Sequence, residues 1–461
     1  MKNISFHIIL IILIGIVSSC TRSSSNLDVD LSNYNPDNFV RGELDHWIDE
    51  TLTKPYNIEI VYRFNRSMSD IAKNVSPPNV DRVQPTAEMV LDGFLKVYEK
   101  VAGKTFIRKY APKQFVFFGS TVYNSNGTET LGTADAGRRI VLYNLNTLNE
   151  GDHLNIKRRL RTIHHEFAHI LNQLFVIPPS FELVTPGDYT SDWTGKSADE
   201  AKNLGFISPY ARAEFSEDFA ETIAHLLVEG QLYYDRYANS STEEGKVKLK
   251  RKEAIVVDYF KQFFNIDFRE LQYEMYLALN KNYNDPTETV LHQLKNGFLK
   301  TITVDLKTGS HYIQFGESQN FRTVWNDVVT KLAQNINGSA GRYPERFAIQ
   351  FESANKMILQ VFYRSATGTS DLQGNYDFTI IYQNDGNIRF TYVPNSIDQT
   401  QYNNGRAVIQ GWQPLIDYFT ANEFVSDWLP VSAGLANLRK FAGFQLKDDA
   451  SNYFYGPIVL N

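Results

Sequence analysis

The 461-residue sequence predicts an α+β protein in two parts, helix-rich to about residue 299 and β-rich with accompanying helices over 300–461. Three observations predict this. Apolar residues recur at helical spacing through much of the first part, as in Val90, Phe94, Val97, Tyr98 and Val101. After residue 300 the texture changes to short strand-like runs at 346–352, 356–363, 376–382 and 387–392. Asn384-Asp385-Gly386, between the last two runs, is a hairpin turn signal.

Taken in order, a short helix at 44–52 precedes the alternating Ile58-Glu59-Ile60-Val61-Tyr62, a strand. A helix follows over 86–101, then strands at 114–119 and 139–144, the second built on Ile140-Val141-Leu142-Tyr143. A long helix covers 157–174, and Pro178-Pro179 closes it off. A loop-rich stretch runs over 177–209, and helices are predicted at 217–229, 244–264 and 268–279. Two more, at 321–335 and 413–424, accompany the later strands. The strand at 140–143 has two readings. It either edges a cleft, where it can pair with an extended substrate, or sits inside the sheet with no function of its own.

Composition excludes several classes. With 46 Lys+Arg against 52 Asp+Glu the net charge is −6, which lacks the basic field that non-specific nucleic-acid binding needs. A single cysteine, Cys20, excludes an intramolecular disulfide framework and Cys-rich zinc or iron–sulfur sites. Any metal must be held by His and carboxylates. Cys20 itself closes a short N-terminal segment: Lys2, then an apolar run from Ile8 to Val17, then Ser18-Ser19-Cys20. That run is too short to span a membrane but suits a signal-peptide core. Val17-Ser18-Ser19-Cys20 resembles the lipobox of bacterial lipoproteins, which implies removal of residues 1–19 and acylation of Cys20. Residues 20–37, rich in Ser, Asn and Asp, read as a flexible leader.

The chemistry concentrates in His164-His165-Glu166-Phe167-Ala168-His169. His-Glu-x-x-His on a helix puts His165 and His169 on one face, where both imidazoles can bind one zinc ion, with Glu166 placed to take a proton from a water there. Ile163, Phe167, Ile170, Leu171 and Leu174 form the opposite, apolar side, so the two histidines face a cleft. His164 falls off that face and reads as a solvent or supporting residue. A zinc hydrolase needs a third protein ligand and an open fourth position. A metzincin would require Gly at 172 and His at 175, where this chain has Asn172 and Phe175. Ser216-Glu217-Asp218-Phe219-Ala220-Glu221 offers the alternative. With Ser216 as N-cap, Glu217 and Glu221 share a helix face. One can ligate zinc and the other can hold a ligand histidine from behind. Asp218 reads as a residue that complements the helix dipole, and His225 as a less favoured ligand.

These motifs, with Tyr210-Ala211 and the segment Gly205-Phe206-Ile207-Ser208-Pro209 before them, resemble the gluzincin-type metallopeptidases related to the protease domain of anthrax lethal factor. They resemble more closely the zinc metallohydrolase lipoproteins of Bacteroidetes that are associated with TonB-dependent substrate import. The resemblance implies a zincin-like domain over 38–299, followed by a C-terminal domain of unknown function over 300–461. It implies Zn2+ bound by His165, His169 and Glu217, Glu166 as general base, Tyr210 as the transition-state-stabilising tyrosine, and Glu221 behind a ligand. It further implies a peptide or protein substrate, a lipid-anchored outer-membrane location at the cell surface or periplasmic face, and a link to a transporter in nutrient uptake. Two rival readings are a non-enzymatic lipoprotein that captures substrate for the transporter and a zinc hydrolase of non-peptide amides or esters. The presence of Glu166 argues against the first, since a scaffold needs the ligands but not the base.

Overall fold

The computed structural model describes residues 39–461 except 71–72, 125–126, 136, 335–340 and 438. The signal segment 1–19, Cys20 and the leader 20–37 lie outside the described residues. The chain forms two compact units, 1–47 and 48–461. The described part of the first carries the start of a helix, Glu43–Ile48, where the Gly42 N–H donates to the Asp45 carboxylate at 2.9 Å, a self-made cap.

The second unit begins with a four-stranded sheet. Its strands are β1 (Glu59–Val61), β2 (Gln114–Phe117), β5 (Gly132–Asp135) and β6 (Arg139–Leu142), in the order β1-β2-β6-β5, with a short β3–β4 pair (Val122–Tyr123, Glu129–Thr130) beside them. β1, β2 and β6 are parallel, and β2 and β6 read as unbroken apolar runs because such strands are covered on both faces. β5 is antiparallel to β6 and lies at the sheet edge. The strand at 140–143 is therefore an inner strand, and the edge that faces outward is β5, whose Gly-Thr-Ala-Asp sequence carries little strand signal.

Helices α1 (Val80–Val90) and α2 (Lys96–Tyr110) are joined through a wider turn whose Phe94 ring packs edge-on to Phe115 of β2 at 6.3 Å. The central helix α3 (His153–Leu174) starts where the Asp152 carboxylate accepts from the backbone N–H of Leu154 and Asn155 at 2.9 and 3.3 Å. Ile156, Leu160, Ile163, Phe167, Ile170 and Leu171 are buried along it, as the apolar periodicity requires. After the short α4 (Ala198–Leu204), helix α5 (Phe215–Val228) packs against α3. Next come α6 (Gln231–Asn239), absent from the sequence reading, then α7 (Glu243–Phe264), α8 (Phe268–Tyr283) and α9 (Val290–Lys295).

From Leu299 the chain builds a closed eight-stranded barrel. Its strands are β7 (Leu299–Val304), β8 (Arg342–Ser353), β9 (Lys356–Ser365), β10 (Leu372–Tyr382), β11 (Ile388–Val393), β12 (Glu423–Asp427), β13 (Phe441–Leu446) and β14 (Asp449–Leu460). The order around the barrel is β10-β11-β12-β13-β14-β7-β8-β9, closed by β9–β10, so the first and last strands are partners with Ile302 opposite Ile458. Helices α10 (Gln319–Ala333) and α11 (Thr400–Ala421) share one apolar cluster with it, where the Trp325 and Trp412 rings lie 5.9 Å apart.

α11 begins at Thr400 rather than 413. Gly405 and Gly411 lower its helical signal and Pro414 lies inside it. Gly405 is required for packing: a Cβ there would come 2.8 Å from the Asn375 carbonyl on β10. The segment read as the end of that helix at 423–424 is instead the start of β12. The barrel abuts the helical part through Glu288, whose carbonyl accepts from Trp428 Nε1 at 2.8 Å and whose carboxylate lies 2.7 Å from Arg439 Nε.

Candidate metal centre

α3 and α5 bring three donors together. His165 Nε2 lies 3.1 Å from His169 Nε2 and 3.0 Å from Glu217 Oε2, and His169 Nε2 lies 3.4 Å from that same oxygen. Zinc bonds of ~2.0–2.1 Å at tetrahedral angles separate neighbouring donors by ~3.3–3.4 Å. The observed triangle is close to one face of that tetrahedron, and two imidazoles with a carboxylate are a donor set that zinc accepts. Among the described residues, this is the group of His, Cys, Asp and Glu whose donor atoms converge closely enough to hold a metal.

The electrostatics point the same way. Burial opposes charge on His165, but contacts with Glu217 and Glu221 outweigh it and push the imidazole up to about 10. Burial likewise pushes Glu217 up, yet the two histidines more than offset this and hold its carboxyl far below the usual range. The carboxylates thus call for positive charge at this point, which a divalent cation supplies.

Glu221, one turn beyond Glu217, does not join the triangle. Its Oε1 lies 3.0 Å from His165 Nδ1, which leaves Nε2 of that ring for a metal. Its Oε2 accepts from Ser208 Oγ at 2.6 Å, and Ser208 Oγ accepts in turn from the Ala211 backbone N–H at 3.1 Å. Burial alone would raise Glu221, but the bond to His165, the nearby His225 and the bond from Ser208 hold it at about 2.

Glu166 lies beside the triangle and lines the cleft together with Ala134 of β5. Burial raises its carboxyl above the ordinary value, opposed by His165 and His169. Tyr210, in the turn Tyr210–Arg212 after Pro209, packs its ring 5.9 Å from that of His165 and edge-on to Trp193 at 4.9 Å. Burial, and after it the neighbouring Glu217 carboxylate, push its hydroxyl well above the ordinary range.

A cleft passes the centre on both sides. One lobe, about 690 Å³, is walled by Trp193, Ile207, Tyr233 and Tyr237; the other, about 710 Å³, runs by Thr133, Ala134, Gln173 and Val176. Both lobes share Gly132, His165, Glu166 and Tyr210, so β5 starts where the lobes meet and runs along the second.

Three readings change, and the low rank of His225 as a ligand stands. Ser216 is not the N-cap: the cap position is Glu214, and Ser216 Oγ donates to its carboxylate at 2.6 Å. Asp218 is not a surface dipole residue but fully buried, 2.6 Å from Lys252 Nζ. His164 faces neither solvent nor the centre. It is buried against Phe94 and Tyr98, with Nε2 3.1 Å from the Gly93 carbonyl. His225 stands behind Glu221, its Nδ1 donating to the Glu221 carbonyl at 2.9 Å. Ser208, Trp193 and Lys252 escaped the sequence reading. Lys252 lies in the basic run Lys246-Val247-Lys248-Leu249-Lys250-Arg251-Lys252, which looks like a solvated face.

Residues 37–269 match the family described as "Putative zinc-binding metallo-peptidase". A crystal structure of a protein from Bacteroides caccae, described in the same words, is 29% identical, covering 54% of this chain and 98% of that one at a TM-score of 0.46. No curated protein matches. With half of its length matched and a two-histidine, one-glutamate centre formed inside the matched span, the chain belongs to the zinc-binding metallo-peptidase family.

Proposed function

We propose that the chain cleaves internal peptide bonds of extended polypeptides, with Glu166 as general base and Tyr210 as oxyanion donor. The observation that carries this reading is the placement of Glu166 between the donor triangle and β5, at the point where the two lobes of the cleft meet. Zinc held by His165, His169 and Glu217 would supply Lewis acidity to the scissile carbonyl and the attacking water. Glu166 takes the proton of that water and returns it to the leaving amine. The Tyr210 hydroxyl donates to the oxygen on which negative charge develops. Glu221 keeps the His165 ring in the tautomer and orientation that ligation needs. The free edge of β5 offers main-chain hydrogen bonds to an extended substrate, and room on both sides of the centre favours cleavage within a chain over trimming of an end.

Zinc analysis of the purified full-length chain alongside a peptide-library digest tests this. One zinc per chain and internal cuts by the wild type, with E166Q retaining zinc and cutting nothing, is the expected result. A zinc-loaded wild type that binds peptides uncut would favour substrate capture, and one that cleaves only esters or non-peptide amides would favour the broader hydrolase. The lipobox resemblance at Cys20 supports a lipid-anchored protein of the outer membrane that works in nutrient acquisition beside a TonB-dependent transporter. Labelling with a palmitate analogue should mark the wild type and miss C20S, since the chain has one cysteine.

A further inference from the structure

Behind the centre lies an ion pair that the chemistry above does not use. Asp218 and Lys252 are 2.6 Å apart with both side chains fully buried. Withdrawing two charges from water costs several kcal/mol per ion, and an apolar pair of similar volume is often as stable or more so. Stability alone is therefore a weak reason for such a pair.

The contacts of Lys252 suggest another. Its Nζ donates to the Gly205 carbonyl at 2.8 Å and sits 3.8 Å over the Phe206 ring. With Asp218 Oδ2, that accounts for three directions around one ammonium. Asp218 Oδ2 also accepts from the Tyr189 hydroxyl at 3.0 Å, and the Tyr189 ring packs edge-on against Phe206 at 5.3 Å. One lysine on α7 thus ties together the segment that leads from Gly205 to Tyr210, the loop that carries Tyr189, and the helix that carries Glu217.

We infer that Lys252 and Asp218 are positioning residues that fix the rotation of α5 and the course of residues 205–210, and so set Glu217 and Tyr210 relative to the histidines of α3. The inference rests on the roles assigned to Glu217 and Tyr210 above. Consecutive helical residues point about 100° apart, so clamping Asp218 toward α7 sets the direction of Glu217 toward the cleft. A ~20° rotation of the helix moves a group at its ~5–6 Å outer radius by about 2 Å, roughly one metal–ligand bond. The Ser208–Glu221 bond fastens the same segment to α5 from the other end, so the Tyr210 turn is held between two anchors.

The test uses the full-length chain and two double variants that remove both charges together, which avoids stranding one of them. K252M/D218N keeps shape but no donor at position 252; K252Q/D218N keeps a neutral donor. Folded fraction, zinc affinity by competition with a chelating dye, and kcat and KM on a peptide the wild type cuts are measured for each, with E166Q as the zinc-retaining inactive control. In K252M/D218N, zinc affinity and kcat per folded molecule should fall about 10–100-fold, the usual loss when a residue supporting a ligand is removed, with KM within about twofold. K252Q/D218N should recover part of both. Wild-type zinc affinity and kcat per folded molecule in K252M/D218N would overturn the inference, and so would failure of both variants to fold, which would make the pair a folding device. A wild type that neither holds zinc nor cuts peptide would overturn the assignment of the centre itself.

Discussion

The helical part and the barrel solve burial in opposite ways. Around α3, α5 and α7 the interior holds His164, His165, Asp218, His225, Lys252 and Glu253, each bonded to a partner across elements. In the barrel, the buried polar side chains among the described residues are Ser318, Asp377 and Asn387, and the core is a mass of rings around Phe347, Phe390, Trp412, Phe419 and Phe454. Buried polar groups cost free energy unless satisfied, while buried phenyl rings stabilise without needing hydrogen-bond partners. The first region gives up stability to hold many charges in place; the second contributes stability and, among the described residues, buries one carboxylate, Asp377. Substitutions should therefore fail differently in the two regions.

The largest effect should come from the donor triangle. Glu217→Ala or His169→Ala should abolish high-affinity zinc binding and turnover together, read by metal analysis and peptide digestion; a variant that keeps full zinc content would break the contrast. Glu166→Gln should retain zinc and lose ~10²–10⁴-fold in kcat, the range for a lost acid–base group. Tyr210→Phe should keep zinc and slow kcat ~10²–10³-fold with little change in KM, because the hydrogen bond it loses forms in the transition state. In the barrel, Trp412→Ala should cost about 3–5 kcal/mol in denaturant unfolding, yet leave zinc affinity of the folded fraction unchanged. A zinc defect in that variant would show that the two regions are coupled. Ser208→Ala, which frees one oxygen of Glu221, should have the smallest effect, about tenfold in zinc affinity.

The same contrast explains what could be read from the chain. The histidine pair and the two-glutamate face were legible because their parts are local: His165 and His169 are one turn apart, as are Glu217 and Glu221, and helical spacing converts directly into a shared face, although it left open which glutamate joins the histidines. Asp218 and Lys252 were not, because an acid in a first turn and a lysine in a basic run look ordinary until α5 and α7 are packed. β5 was missed for a related reason. Its position at the edge depends on pairing with β6, not on Gly-Thr-Ala-Asp. For the barrel, β8 to β11 were legible as alternating runs joined by tight turns. Closure was not, since β7 pairs with β14 from the far end of the sequence, and the glycines that let α11 approach β10 read as helix breakers.

That pairing of first and last strands bears on how the protein is made. A ribosome delivers β7 long before β14, so β7 can meet β8 early while its other edge waits through synthesis of nearly the whole barrel. Barrel closure is then the last step, with slow, non-local kinetics. Until it happens, two strand edges stand open to any other chain nearby. A chain cut short before Asp449 would keep β7 and β13 in that state permanently. Its fate should be aggregation, even though every residue of the donor triangle has already been made.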